Sequence, residues 1–167
     1  MTHHLLNDEL QEVRRIARSA GAILRRYHTE ETQVDWKAPG DPVTIADLEA
    51  SEFIVGELRK LFPTDGILSE EMADDPSRVK QSRVWMVDPM DGTREFIDGR
   101  EDFAVMIGLV IEGVPKLGVV YQPCTDKMYF AADGAGATLQ HGEETRPLQV
   151  SSETVAASIY FGVGRSR

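Results

Sequence analysis

The stretch Val87-Asp-Pro-Met-Asp-Gly-Thr-Arg-Glu-Phe96 decides how the rest of this sequence is interpreted. An apolar run at residues 84–87 predicts a short strand that ends on the carboxylate of Asp88, and a proline and a glycine then predict a tight turn that carries Asp91. Thr93 is expected to cap a short helix whose free N–H groups point back into the turn. Two carboxylates beside such a helix start form a ligand set that suits Mg²⁺ together with a phosphate oxygen.

The same pattern has a purely structural interpretation, in which Asp91 belongs to an ordinary turn and Asp88 is a cap. A second acidic stretch, beginning at Glu70, favours the metal site because it also follows a predicted short strand, residues 67–68. If the two strands are neighbours, Glu70 and Asp88 lie at the same edge of the sheet. Carboxylates brought together there would repel one another unless a cation joined them.

Asp47 has two interpretations that the sequence leaves open. Residues 44–47, Thr-Ile-Ala-Asp, have the spacing of a capping box, which predicts that a helix begins near Thr44. The helix is expected to end at residues 62–63, Phe-Pro. Its buried stripe is predicted to consist of Ile45, Leu48, Val55, Leu58 and Leu61. A catalytic role for Asp47 therefore needs support beyond its residue type and position.

The remaining pattern predicts a first helix before this one and an antiparallel meander after it. Apolar residues at helical spacing between residues 10 and 27 predict an amphipathic helix with Asn7 or Asp8 as its cap, and turn-forming residues follow at 39–42. Alternating stretches predict strands at residues 103–111, 116–122, 127–132 and 137–140, with a further β-rich stretch at 158–163. Two helices followed by antiparallel strands are typical of the α+β class.

Composition excludes several classes of protein. The 167 residues include 41% hydrophobic and 28% charged residues, which suits one folded domain. The formal net charge of -10 argues against a binder of nucleic-acid polymers. No apolar run approaches the roughly 20 residues of a membrane helix, and no signal peptide is recognised. The single cysteine, Cys124, is interpreted as structural and the histidines lack zinc-site spacing, so a cytoplasmic protein without membrane partners is expected.

Three motifs, in order, resemble those of the inositol monophosphatase superfamily of Mg²⁺-dependent, lithium-sensitive phosphatases. They are residues 42–47 (Pro-Val-Thr-Ile-Ala-Asp), 68–71 (Leu-Ser-Glu-Glu) and 88–93 (Asp-Pro-Met-Asp-Gly-Thr). Residues 94–97 and 118–123 are most similar to the bacterial 3'(2'),5'-bisphosphate nucleotidase branch. The resemblance implies the layered α+β sugar-phosphatase fold, with two helices packed on an antiparallel sheet.

The resemblance also implies a ligand set for Mg²⁺. It consists of the carboxylates of Glu70, Asp88 and Asp91 and the main-chain carbonyl of Met90. Metal held there would activate water, bind phosphate oxygens and neutralise charge on the leaving oxygen, so that no covalent phosphoenzyme is required.

For catalysis, the resemblance assigns Glu70 and Thr93 to orienting and activating the attacking water, with Asp47 hydrogen-bonded to the Thr93 hydroxyl. Asp91, Gly92 and Thr93 are implied to bind the substrate, with the main-chain N–H groups of Gly92 and Thr93 holding phosphate oxygens. The implied substrate is a small phosphorylated metabolite, and the implied assembly is a homodimer.

Members of this superfamily continue into a second half with a Trp-Asp motif whose aspartate completes the metal cluster. The two tryptophans here, Trp36 and Trp85, are followed by lysine and methionine, so this dipeptide is absent. Residues 1–167 are therefore expected to be the N-terminal part of such a domain without its C-terminal half. We expect them to be weakly active or inactive alone.

The leading functional hypothesis is Mg²⁺-dependent hydrolysis of 3'-phosphoadenosine 5'-phosphate. The alternative enzyme is an inositol monophosphatase or broad sugar-phosphate phosphatase with the same metal centre, because the pocket that distinguishes leaving groups is expected largely in the other half. The alternative that is not an enzyme is a metal-binding or oligomerisation module.

Overall fold

The computed structural model describes the backbone of residues 2–28, 34–38, 41–73, 75–152 and 154, and within these ranges the side chains of residues 6–28 and from 44 onward. The helices are α1 (Thr2–His28), α2 (Ile45–Leu61) and α3 (Thr93–Ile97), with a 3-10 helix at Pro76–Lys80. The strands are β1 (Val34–Ala38), β2 (Asp41–Thr44), β3 (Gly66–Ser69), β4 (Arg83–Asp91), β5 (Ala104–Ile111), β6 (Val114–Gln122), β7 (Lys127–Ala132), β8 (Gly136–His141) and β9 (Glu144–Leu148).

Strands β3 to β9 form one sheet in sequential order, and β1 and β2 form a separate hairpin. All neighbours in the larger sheet are antiparallel except β3 and β4, which are parallel. The α+β class, the meander and the neighbouring positions of the strands before Glu70 and Asp88 are thereby confirmed. Asp41 and Pro42, predicted in a turn, lie in β2. The rest of that turn, residues 39–40, and the β-rich stretch 158–163 lie outside the described residues.

Helices α1 and α2 pack on one face of the large sheet, where they bury the hydrophobic core. The largest fully buried core side chains include Ile16, Leu24, Ile54, Leu58, Trp85, Phe103, Ile107 and Leu109. The predicted cap of α1 is wrong, because Asn7 and Asp8 lie inside the helix. Leu6 and Leu10 are both buried. Because residues four apart share a helix face, the buried face of α1 extends toward the N-terminus as far as Leu6.

The structure confirms both predicted ends of α2 and corrects its predicted buried face. Val55 and Leu58 are buried as predicted, but Ile45, Leu48 and Leu61 are 47%, 42% and 40% exposed. The side chains that α2 buries are Ala46, Asp47, Ala50, Ser51, Ile54, Val55 and Leu58. Small residues allow a helix to lie close to a sheet. The two polar residues, Asp47 and Ser51, can be buried because each has a hydrogen-bond partner.

The opposite face of the sheet is apolar and open in the described part of the chain. Gly108 and Gly118 pair directly across β5 and β6. Because neither has a side chain, they leave a hollow whose walls include Met86, Met106 and Val120. Met86 is 48% exposed. The hollow extends to Glu70, which follows β3, and to Asp88 in β4.

Cys124 is partly exposed and packs against the hydrophobic core, which agrees with its structural interpretation. Burial raises the pKa of its thiol, which disfavours the reactive thiolate. None of the described helices is long and apolar enough to cross a membrane.

Candidate metal centre

Glu70 and Asp88 lie side by side because the parallel pairing of β3 and β4 continues beyond the end of β3. Ser69 pairs with Val87, and the N–H of Glu70 donates to the Val87 carbonyl at 3.1 Å. The residues that follow this pair, Glu70 and Asp88, therefore emerge at the same edge. Both line the end of the hollow on the open face of the sheet.

The sequence predicted that this strand ends on Asp88, but β4 continues to Asp91. Asp88 pairs with Met106 and Asp91 with Ala104, so three steps along β4 match two steps along β5. This extra residue is a β-bulge. In a regular strand, side chains three positions apart point to opposite faces, whereas a bulge between them brings both toward one side. The bulge thereby places the charge of Asp91 close enough to influence Asp88.

The three carboxylates create an unfavourable concentration of negative charge. Burial, followed by the charges of Glu70 and Asp91, raises the pKa of the Asp88 carboxyl to about 7. One Asp88 oxygen accepts a hydrogen bond from the Met90 N–H at 3.1 Å, which partly offsets this cost. A hard divalent cation would relieve the repulsion, and carboxylate and carbonyl oxygens are the donors that Mg²⁺ prefers.

Within the described residues, no group of three or more His, Cys, Asp or Glu side chains is placed so that it could hold a metal ion. Mg²⁺ usually keeps several waters and takes only one or two carboxylates together with substrate phosphate. Glu70, Asp88, Asp91 and the carbonyl of Met90 are the groups that would hold it.

Asp47 joins the start of α2 to the turn after β4: it belongs to the predicted capping box and also accepts a hydrogen bond from Thr93. One of its oxygens accepts hydrogen bonds from the Thr44 N–H at 2.7 Å and hydroxyl at 2.6 Å, and the predicted capping box is present. The Thr93 hydroxyl lies 3.2 Å both from the other Asp47 oxygen and from the Met90 carbonyl. Asp47 is 1% exposed, and burial raises the pKa of its carboxyl against the effect of these hydrogen bonds.

Thr93 is not the cap of α3, contrary to the prediction. Gly92 holds the cap position with φ 98°, and no side chain makes a capping hydrogen bond. Thr93 is the first residue of the helix, and its hydroxyl is directed to Asp47 and Met90 instead. A Cβ at position 92 would lie 2.7 Å from the Asp102 carbonyl oxygen, so glycine is required by both conformation and space.

A buried pair of hydroxyls beside this site was not predicted from the sequence. The Ser51 and Ser69 side-chain oxygens are 2.8 Å apart and form a hydrogen bond. Ser69 directly precedes Glu70, and Ser51 follows Asp47 by one helical turn. The signal present in the sequence was this four-residue spacing from Asp47, which places Ser51 on the same face of α2.

The chain is similar in sequence and in fold to known proteins. The family described as "Inositol monophosphatase family" matches residues 6–166. The chain is 46% identical over 130 residues to the 3'(2'),5'-bisphosphate nucleotidase CysQ of Escherichia coli strain K12, covering 75% of this chain and 52% of the relative. It is 36% identical over 159 residues to a histidinol-phosphatase of Chlorobaculum parvum, covering 93% of this chain and 59% of the relative.

The chain therefore spans about half the length of the curated relatives it matches. The crystal structure of extragenic suppressor protein suhB from Bartonella henselae superposes on it with a TM-score of 0.79 at 34% identity, covering 87% of this chain and 55% of that one. Sequence and fold thus point to the same family. The chain belongs to the inositol monophosphatase family.

Proposed function

We propose that this chain provides the metal-binding part of a Mg²⁺-dependent phosphatase that hydrolyses 3'-phosphoadenosine 5'-phosphate. The observation that carries the proposal is the edge where Glu70, Asp88 and Asp91 meet beside the hydrogen bond from Thr93 to Asp47. An acidic residue such as Asp88, whose pKa is raised by burial and by neighbouring carboxylates, is typical of a functional site when it lies near an oriented hydroxyl. The similarity to a bisphosphate nucleotidase supports the choice of substrate.

The carboxylates and the Met90 carbonyl are proposed to hold Mg²⁺, which supplies Lewis acidity toward phosphate and lowers the pKa of bound water. The Thr93 hydroxyl donates a hydrogen bond to Asp47, because a carboxylate is a stronger hydrogen-bond acceptor than the nearby Met90 carbonyl. The Thr93 oxygen then has lone pairs to accept a hydrogen bond from the attacking water, and Glu70 takes the proton that water loses. The N–H groups of Gly92 and Thr93 are proposed donors to the phosphate.

Substrate choice can be tested with the chain alone and with a chimera. In the chimera, the chain is followed by the part of the Escherichia coli relative that it does not cover. With Mg²⁺, the chimera is expected to release phosphate from 3'-phosphoadenosine 5'-phosphate at least about tenfold faster, in kcat/KM, than from inositol 1-phosphate or histidinol phosphate, since a site that pairs polar groups of its substrate rejects analogues lacking them. EDTA is expected to stop the reaction and Li⁺ to inhibit it. The chain alone is expected to be weak or inactive.

Other results of this experiment would favour the remaining candidates. Preference for inositol 1-phosphate or histidinol phosphate would reject the nucleotide assignment, and the histidinol-phosphatase relative makes the second of these a specific comparison. Mg²⁺ binding without phosphate release from any of these substrates would favour a binding module. A cytoplasmic location and a homodimer remain predictions, to be checked by fractionation and by sedimentation.

The proposed roles of Thr93 and Asp47 predict a loss of turnover without a matching loss of metal. Thr93→Val and Asp47→Asn in the chimera are each expected to lower kcat by about 100-fold, because both interrupt the same proton-transfer arrangement. The Mg²⁺ dissociation constant should change far less than kcat, by no more than about tenfold, the lower end of the effect of losing a ligand's hydrogen-bond partner, because the Thr93 hydroxyl also contacts the Met90 carbonyl. Thr93→Ser keeps the hydroxyl and serves as the matched control. Equal losses in Thr93→Ser and Thr93→Val would contradict the assigned role of the hydroxyl.

A further inference from the structure

One face of α2 reaches both walls of the proposed metal centre. Asp47 and Ser51 are one turn apart and project from the same side of the helix. Asp47 accepts the hydrogen bond of Thr93, in the turn after β4. Ser51 makes its hydrogen bond to Ser69, the last residue of β3. A single helical turn therefore touches the elements that carry Thr93 and Glu70.

The hydrogen bond between Ser51 and Ser69 adds a side-chain contact to the main-chain hydrogen bonds at the end of β3. β3 has four residues and, in the described part of the chain, lies at the edge of the sheet with β4 as its strand neighbour. Glu70, just beyond it, keeps one ladder hydrogen bond, from its N–H to the Val87 carbonyl. Residues at an edge strand open more readily than strands paired on both sides.

The hydrogen bond between the two serines counteracts this opening. Ser51 is 1% and Ser69 7% exposed, so water does not compete well for the contact, and breaking it leaves a buried hydroxyl without a partner. The bond joins the strand end to the hydrophobically anchored helix, in which Ile54 and Leu58 are fully buried.

We propose that Ser51 is a positioning residue for the metal centre: through Ser69 it holds the end of β3 so that Glu70 stays beside Asp88 in readiness for Mg²⁺. This inference rests on the proposed function, because it concerns the same metal centre. It adds a residue of α2 that touches neither metal nor substrate.

The test measures Mg²⁺ binding to the chain by isothermal titration calorimetry in Ser51→Ala, Ser69→Ala and the double variant. Each single variant is expected to raise the dissociation constant about tenfold, the lower end of the effect seen when a group that orients a ligand is lost. The double variant should bind Mg²⁺ no more weakly than the single variants, because all three lose the same hydrogen bond. In metal-free protein, the amide of Glu70 should exchange its hydrogen faster in every one of them.

Two controls separate positioning from general stability. Val55→Ala removes buried apolar contacts one turn further along α2, so it is expected to lower the melting temperature and leave the Mg²⁺ dissociation constant unchanged. Ser82→Ala removes an exposed hydroxyl and should change neither quantity.

The outcomes distinguish this inference from the proposed function. If the wild-type chain binds Mg²⁺, Asp88→Asn does not, and both single serine variants bind like wild type, the positioning role is overturned while the metal centre stands. A Mg²⁺ affinity that falls equally in Val55→Ala and Ser51→Ala also overturns it. If wild type and Asp88→Asn bind Mg²⁺ alike, or neither binds, the metal centre is wrong and the inference fails with it.

Discussion

Asp88→Asn is expected to remove Mg²⁺ binding and, in the chimera, phosphate release, and at the same time to raise the melting temperature of the metal-free protein. The loss of activity should be at least about 100-fold, since removing a ligand costs no less than removing a group that orients one. The gain in stability follows because asparagine has nearly the same shape, still accepts the hydrogen bond from the Met90 N–H, and no longer repels Glu70 and Asp91.

The gain in stability should depend on pH in a definite direction. The pKa of Asp88 is raised from its ordinary value of 3.8 to about 7. Between these values the folded metal-free protein binds a proton that the unfolded chain has released, so wild-type stability falls as pH rises through this range. The difference in melting temperature between Asp88→Asn and wild type, measured in EDTA, should therefore be largest above pH 7 and disappear toward pH 4.

Glu52→Gln provides the matched control for this substitution. It neutralises an exposed acidic residue of α2, for which no comparable stabilisation is expected. An Asp88→Asn variant that melts below wild type in EDTA at pH 8 would contradict the repulsion between the carboxylates. Unchanged Mg²⁺ binding in the same variant would contradict the ligand assignment.

Gly92→Ala is the substitution with the second-largest expected effect. A left-handed backbone disfavours any side chain, and here the new Cβ would also lie 2.7 Å from the Asp102 carbonyl oxygen and 3.2 Å from the Phe103 Cα. These are backbone atoms of the segment that leads into β5, so they cannot turn away as a flexible side chain would. We expect a loss of about 3 kcal/mol in the free energy of unfolding, and about a 100-fold loss of phosphate release in the chimera, because Thr93 would be displaced by about 1 Å.

Gly99→Ala separates the two contributions to this effect. Gly99 also has a positive φ, 70°, but a Cβ there would meet nothing within 4 Å. It should cost about 1 kcal/mol in urea unfolding, from backbone conformation alone, and leave the Mg²⁺ affinity unchanged. Similar effects of the two substitutions on stability and activity would show that close contact at Gly92 does not hold Thr93 in place.

Local features of this fold could be predicted because their causes are local. The capping box at residues 44–47 depends on spacing within one helical turn, and the structure contains it. The alternation that predicted strands at residues 103–111, 116–122, 127–132 and 137–140 is also local, and β5 to β8 are found there. The common edge of Glu70 and Asp88 was predictable because two short strands preceded them, and neighbouring strands deliver their next residues to one place.

Features that depend on distant partners could not be predicted in the same way. The bulge between Asp88 and Asp91 exists in relation to β5, so the sequence of β4 alone suggested that the strand ended earlier. Ile45 and Leu48 are apolar and helically spaced, yet both are exposed. The face of α2 that packs on the sheet carries Ala50 and Ser51, whose small side chains allow close approach. The capping role predicted for Thr93 was wrong because a buried carboxylate 46 positions away attracts its hydroxyl.

The last strand in the described part of the sheet has a consequence for self-association. β9 contains Pro147, which pairs with Thr138 of β8. Proline has no N–H, and in a sheet it is tolerated at an edge where that position faces outward. The free side of β9 therefore lacks a donor at Pro147, the fourth of its five residues. Within the described part of the chain, this disfavours edge-to-edge pairing of two copies through β9 at that position.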